Sequence, residues 1–254
     1  MTASPLPRAT SRPAAASHRG ASRAAPENTM EAFRIAWDAG VPWTETDTQP
    51  SVDDVPVLIH DDDVDRTTDG TGTVRDFRAL DLRALDAGAW FGADFAGARI
   101  PELQEFLQAM PADHRVFLEI KGPHTPEQLV ATLDVVRAAG VDDRVFVQSF
   151  EREALAAVQQ IQPGRPLGLL TAEWDEDPVA ACRALGAVSY HPHHRLLLAR
   201  PDPSAEVAAL HAAGMTVAVW TADERSDWDA LAAIGVDAIM SNEPMALLEW
   251  TRER

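Results

Sequence analysis

The chain holds a single cysteine, Cys182, among 254 residues. No internal disulfide can form, which points to a reducing compartment and away from disulfide-stapled secreted scaffolds. Cations are scarce as well: 22 Lys and Arg face 40 Asp and Glu, a formal net charge of −18. Such a surface repels nucleic acid and anionic membranes at long range, so neither is expected as a partner. An anionic substrate then needs a cation, or clustered Arg and Lys, to reverse the field at its site. No apolar run approaches the roughly 20 residues that span a bilayer. The opening MTASPLPRATSRPAAAS lacks a continuous apolar stretch and does not read as a secretory signal. Its Pro, Ser, Ala and Arg predict a disordered lead-in over residues 1–12. A cytoplasmic enzyme is the expectation.

What the chain does have is a regular alternation of strand-like and helix-like segments. Asn28–Ala39 carries Met30, Phe33 and Trp37 at helical spacing, with Asn28 and Glu31 as a capping box and Gly40 as a stop. Short strands are expected at about Pro13–His18, Trp43–Gln49, Val55–His60, Val116–Lys121, Val145–Phe150, Leu167–Thr171, Ala187–Tyr190, Thr216–Trp220 and Ala238–Ser241. Helical patterns lie between most of them. About eight strand–helix units make up a (β/α)8 TIM barrel, an α/β fold, here a single domain over residues 13–254. Asp61–Arg99 breaks the rhythm with the turn signal DGTG and the aromatic pair Trp90-Phe91. It reads as an insertion after the second strand region, on the loop face where barrel active sites sit.

Polar residues gather at the strand ends: His18, Arg19, Glu45, Asp47, His60, Glu119, Lys121 and Gln148. Glu45 and Asp47 are two apart and share one sheet face, as do Glu119 and Lys121. Inside a barrel that face is the interior, where bare carboxylates are costly unless neutralised. A divalent cation held by Glu45, Asp47 and Glu119 would do this, and an all-oxygen set suits Mg²⁺ or Ca²⁺. The bland alternative is a salt-bridge network with Arg19 and Lys121. Two histidines beside such a site fit phosphoryl chemistry, one taking a proton and the other giving one.

The series HRGASRAAPENTMEAF, TETDTQ, VPVLIHDDDVDRTTDGTGTV, IPELQEFL, FLEIK, VQSF and VWTAD runs in order from about Ser17 to Pro244. It resembles the glycerophosphodiester phosphodiesterases. The resemblance implies a phospholipase-C-like TIM barrel that hydrolyses a small glycerophosphodiester to sn-glycerol 3-phosphate and an alcohol. It implies His18 and His60 as the acid/base pair and Glu45, Asp47 and Glu119 as ligands of Mg²⁺ or Ca²⁺. It also implies Arg19 and Lys121 as phosphate grips, with Phe150 and Trp220 as apolar walls. Glu27, Asp61 and Gln148 stand in support. SNEP replaces the common Thr-Asp-x-Pro, and Asn242 is given no role.

Other readings remain at this level. A related barrel phospholipase acting on lysophospholipids or sphingomyelin would need an apolar or basic membrane-facing patch, which the acidic composition disfavours. A barrel that only binds a phosphorylated ligand would be expected to lack one of the histidines or acids. The stretch YHPHHRLL (Tyr190–Leu197) is a polar loop, a transition-metal site through H-x-H, or a substrate contact at the barrel mouth; the loop is the expectation.

Overall fold

The strands are short runs of Val, Ile, Leu, Phe and Thr, and alternate residues along them serve two different cores. One set faces outward to pack under helices, as Val116, Leu118 and Ile120 do. The other faces inward, where Ala16, Trp43, Phe117 and Phe146 meet. The structure, a computed structural model, describes residues 6–10 and 12–253.

Strands β1 (Ala14–His18) and β2 (Trp43–Pro50) flank helix α1 (Met30–Asp38). A short β3 (Pro56–Leu58) turns back antiparallel onto the end of β2. The wall continues through β4 (Arg115–Ile120), β5 (Val145–Ser149), β6 (Leu167–Thr171), β7 (Ser189–Pro192), β8 (Thr216–Val219) and β9 (Ala238–Ser241). These pair in parallel in sequence order from β4, β2 pairs with β4, and β9 and β2 both pair with β1. Eight parallel strands therefore close a barrel. Val55–His60, expected as one strand, contributes only β3, which lies outside the closed wall. Its antiparallel pairing places His60 on the rim beside the end of β2.

Helices α2 (Ala79–Ala84) and α3 (Leu103–Ala109) precede β4. Then come α4 (Pro126–Ala138), α5 (Arg152–Ile161), α6 (Pro178–Leu185), α7 (His194–Leu198), α8 (Pro203–Ala212), α9 (Arg225–Ala233) and α10 (Pro244–Arg252). Among the described residues no helix is long and apolar enough to cross a membrane. The insertion has its own small core, in which Val64, Val74, Leu82 and Ala87 pack with Ile59 and Ile100. Trp90 lies at its surface, donating from Nε1 to the Ala87 carbonyl at 3.0 Å and meeting Phe91 edge-on.

The expected disordered lead-in is corrected for the residues the structure describes; residues 1–5 and 11 lie outside them. Leu6 is 1% exposed and joins the inner cluster of Trp43, Phe117 and Phe146 at the N-terminal end of the strands. The Ala9 amide donates to Asp237 at 2.9 Å, and Arg12 stacks 4.0 Å over the Trp250 ring. A closed barrel leaves an apolar opening at its base, and one leucine fills it. Leu6→Ala is expected to cost about 2 kcal/mol, near the low end for a buried leucine because a terminal segment can relax. That corresponds to a drop of roughly 4–8 °C in Tm for a chain of this size. Turnover should not change, because the histidines lie at the opposite end.

Candidate active site

On each of four neighbouring strands the inward face begins apolar and ends polar. Ala16 leads to His18, Trp43 to Glu45 and Asp47, Phe117 to Glu119, and Phe146 to Gln148. Parallel register sets these ends side by side: His18 faces Glu45, Asp47 faces Glu119, and Glu119 faces Gln148. The lower half of the barrel is thus a packed core and the upper half a polar bowl. Its cavity, about 180 Å³, is lined by His18, Arg19, Glu45, His60, Glu119, Lys121, Gln148, Phe150 and Trp220, with Leu170 and Met240 below.

Two backbone turns aim the first residues. Arg19 and Gly20 both take left-handed φ, 57° and 81°. A Cβ on Gly20 would lie 2.8 Å from the backbone of Ala32 in α1, so this position requires glycine. The Arg19 amide donates to both the Glu45 carbonyl (2.9 Å) and a Glu45 side-chain oxygen (3.0 Å). Strain of this kind, held by surrounding bonds, is typical of working sites.

Glu45, Asp47 and Glu119 are all buried, and one oxygen from each lies within 4.8 Å of the others. Burial, with the Asp47 and Glu119 charges, holds the Glu45 carboxyl well above the usual range. Burial and the Asp47 charge push Glu119 up to about 8. Burial also acts against ionised Asp47, but Arg19, His60, Lys121 and Asn28 outweigh it and keep that carboxyl low. Glu119 Oε1 accepts no hydrogen bond; its nearest cation is Lys121 Nζ at 3.4 Å. Three crowded carboxylates, two of them resisting ionisation, lack positive charge at their centre. An all-oxygen set with this deficit fits a hard divalent cation, and the acidic triad can bind a metal ion. Among the described residues it is the only such group. The salt-bridge alternative accounts for part of the arrangement, since Arg19 Nε lies 3.3 Å from Asp47, but it leaves Glu45 without a cation partner.

Both histidines line the bowl, His18 from the end of β1 and His60 from the rim just past β3. His18 Nε2 is 3.9 Å from Glu45 Oε2, and burial, reinforced by Arg19, pushes the ring down to about 4. His60 Nδ1 lies 2.6 Å from Asp61, and Lys121 donates to His60 Nε2 at 2.9 Å. The Gln49 side-chain amide donates to the carbonyls of Ile59, His60 and Asp61 (3.3, 3.1 and 2.7 Å), fixing the loop that carries the ring. Phe150 meets Trp220 edge-on at 5.2 Å between ring centroids, forming one apolar wall. Glu27 accepts from Arg19 (2.8 Å) and from both terminal nitrogens of Arg66 (2.8 and 2.9 Å), and Arg66 also binds Asp61. The structure thus brings together every site residue expected from the sequence.

Several participants were not foreseen. Asn28, expected to cap α1, does not; the Thr29 side chain accepts from the Ala32 amide instead. Asn28 adopts φ 55°, which turns its side chain to donate to Asp47 Oδ2 (2.9 Å) and accept from Thr46 (2.7 Å). Asn242, given no role, has its side-chain oxygen 2.7 Å from His18 Nδ1. Arg66 ties the insertion to Glu27; its Arg-Thr-Thr motif was visible, but its partner lies 39 residues away.

The expected polar loop at YHPHHRLL is also corrected. Strand β7 runs on to Pro192, two residues past the predicted end, so His191 belongs to the strand; it is completely buried and is pushed down to about 3 by burial. Its nitrogens bond Gln148 (2.7 Å) and Ser189 (2.8 Å). A Cβ on Gly168 of β6 would fall 2.4 Å from that ring, so glycine there makes the room. His193 caps α7 and packs edge-on to Trp220, while His194 pairs with Asp227 at 3.3 Å.

A parallel barrel whose C-terminal mouth gathers two histidines, two cations and an acid triad able to hold a metal ion has the make-up of a phosphodiester-cleaving hydrolase. The chain matches the model of the glycerophosphoryl diester phosphodiesterase family over residues 18–246. It is 34% identical over 242 residues to a glycerophosphodiester phosphodiesterase of Caldanaerobacter subterraneus subsp. tengcongensis, covering 93% of this chain and 96% of that one. A solved Oleispira antarctica phosphodiesterase, in complex with the product sn-glycerol-3-phosphate, aligns with a TM-score of 0.87 at 28% identity over 94% of this chain and 96% of that one. A glycerophosphodiester phosphodiesterase structure from Agrobacterium tumefaciens gives 0.80 at 30% identity, over 92% and 98%. The chain belongs to the glycerophosphoryl diester phosphodiesterase family and is a phosphoric diester hydrolase.

Proposed function

We propose that the protein hydrolyses glycerophosphodiesters to sn-glycerol 3-phosphate and an alcohol, with a divalent cation, Mg²⁺ or Ca²⁺, on Glu45, Asp47 and Glu119. The observation that carries this reading is the convergence of His18, His60, Arg19 and Lys121 around that triad in one cavity. The bound cation would supply Lewis-acid charge for the non-bridging phosphate oxygens. Arg19 and Lys121 grip the same group from the protein side, offsetting the charge that grows during displacement. Lys121 lies 2.9 Å from His60 Nε2, which sets the cation beside the ring at the place where the phosphate would sit. His18 and His60 are the acid/base pair, and Gln148 supplies a polar group to the cavity floor. The Phe150–Trp220 wall packs against the glycerol carbons and excludes water from one side. In this reading residues 13–254 act as one catalytic domain, with the insertion at about 61–99 supporting His60. A lone buried Cys182 and an acidic composition suit a cytoplasmic enzyme.

The test is a turnover assay over glycerophosphocholine, glycerophosphoethanolamine, glycerophosphoglycerol and glycerophosphoinositol, with lysophosphatidylcholine and sphingomyelin as rivals, each with Mg²⁺ or Ca²⁺. Release of sn-glycerol 3-phosphate from at least one glycerophosphodiester is expected. Faster turnover of the lipids, or of none, would sink the proposal.

A further inference from the structure

His18 is backed by an amide, and the amide is backed by a carboxylate. At the C-terminal ends of three adjacent strands, Asp223 follows β8, Asn242 follows β9 and His18 ends β1. Asp223 accepts from the Asn242 backbone amide (2.8 Å), the Ser241 hydroxyl (3.0 Å) and the Asn242 side-chain NH₂ (2.8 Å). A carboxylate only accepts, so the NH₂ of Asn242 must face Asp223. The Asn242 oxygen then faces the other way, where Ser22 (2.9 Å) and His18 Nδ1 (2.7 Å) meet it. An amide oxygen also only accepts, so His18 carries its proton on Nδ1. A neutral imidazole has one N–H, which leaves the Nε2 lone pair facing the cavity, on the side of Glu45.

We infer that Asp223 and Asn242 are positioning residues that lock His18 in the Nδ1–H tautomer and so prepare Nε2 to receive a proton. The inference deepens the reading of His18 as a proton carrier and rests on it. When Nε2 takes the proton, one N–H bond forms as the O–H bond of the attacking hydroxyl breaks. The resulting imidazolium keeps its Nδ1–H bond to Asn242 throughout, so the ring does not need to turn during the step.

The tautomer can be read directly. Long-range ¹H–¹⁵N correlation on the full chain at neutral pH, with the His18 signals assigned by their loss in His18→Gln, should show Nδ1 protonated and Nε2 bare. Asp223→Asn removes the acceptor-only group and frees the Asn242 amide to present either end. That variant should show a mixture of tautomers and a kcat at least about tenfold lower, with KM within about twofold. Losing the carboxylate of a serine-protease triad costs roughly 10⁴, and Asp223 stands one group further from the ring. The exchange variant Asp223→Asn/Asn242→Asp restores an acceptor toward His18 and a donor behind it, so it should recover both the single tautomer and most of kcat. A wild-type ring protonated at Nε2, or an unchanged kcat in Asp223→Asn, overturns the inference. The tautomer measurement does not depend on turnover. A failure of the positioning idea is therefore distinct from a failure of His18 as proton carrier, which only activity in a variant lacking the ring would reveal.

Discussion

Replacing His18 or His60 with Ala lowers kcat by about 10²–10⁴-fold in the expected result, the range associated with loss of a general acid or base. Both rings sit at the mouth, with side chains 16% and 27% exposed, so neither is part of the packed core and the fold should persist. KM should move little, because Arg19, Lys121 and the cation site remain in place; a loss confined to kcat marks an interaction made in the transition state. Steady-state kinetics on the best glycerophosphodiester, with a thermal melt to confirm folding, checks this. Either variant keeping near wild-type turnover would exclude that ring as a proton carrier. The double variant should be scarcely worse than the weaker single one, since groups acting on one reaction coordinate are not additive.

Removal of divalent ions is expected to stop turnover altogether, and Mg²⁺ or Ca²⁺ to restore it. Full activity in chelator contradicts the metal assignment. Carboxyl chemistry sets the pH dependence. In the ion-free fold Glu119 titrates at about 8, against an ordinary value of 4.5, and Glu45 is shifted in the same direction. Protonation of these raised carboxyls therefore favours the folded state. Their contribution is full below the ordinary value and is lost as pH climbs through the raised one, where Glu119 takes on its charge. A cation binds the deprotonated form, so it displaces protons and its apparent affinity rises between pH 6 and pH 8. Calorimetric titration should show that rise with proton release, and the ion should raise Tm more at pH 8 than at pH 6. Asn28→Ala, which frees Asp47 to rotate, is expected to weaken ion binding by about 10–100-fold. An affinity independent of pH would show that the carboxyls are already ionised without the ion.

The barrel and most of its site were legible because both depend on local pattern. A two-residue period put Glu45 with Asp47 and Glu119 with Lys121 on the inner face, and the regular spacing of strands and helices gave the closed wall. What escaped depends on backbone conformation or on closure. Asn28 looked like a cap because its composition is that of a cap; its left-handed turn, which points it at Asp47, leaves no trace in residue type. Asn242 lies 224 residues from His18, and they meet only because the last strand pairs with the first. His191 was assigned to a loop because β7 runs two residues past its predicted end. Leu6 was hidden in a segment whose Pro, Ser and Ala content signals disorder, yet one apolar side chain is enough to anchor it to the barrel floor.

Gly168 and His191 carry a consequence for how this barrel can change by descent. The imidazole occupies the space that any side chain at 168 would need, and it holds the amide of Gln148 from behind. Neither position can mutate freely while the other stands. A lineage that places even a methyl group at 168 must first shrink the residue at 191 and find another hold for Gln148. Across relatives the two positions should change as a pair, and a chimera that takes β6 from one parent and β7 from another will fold poorly wherever it separates them.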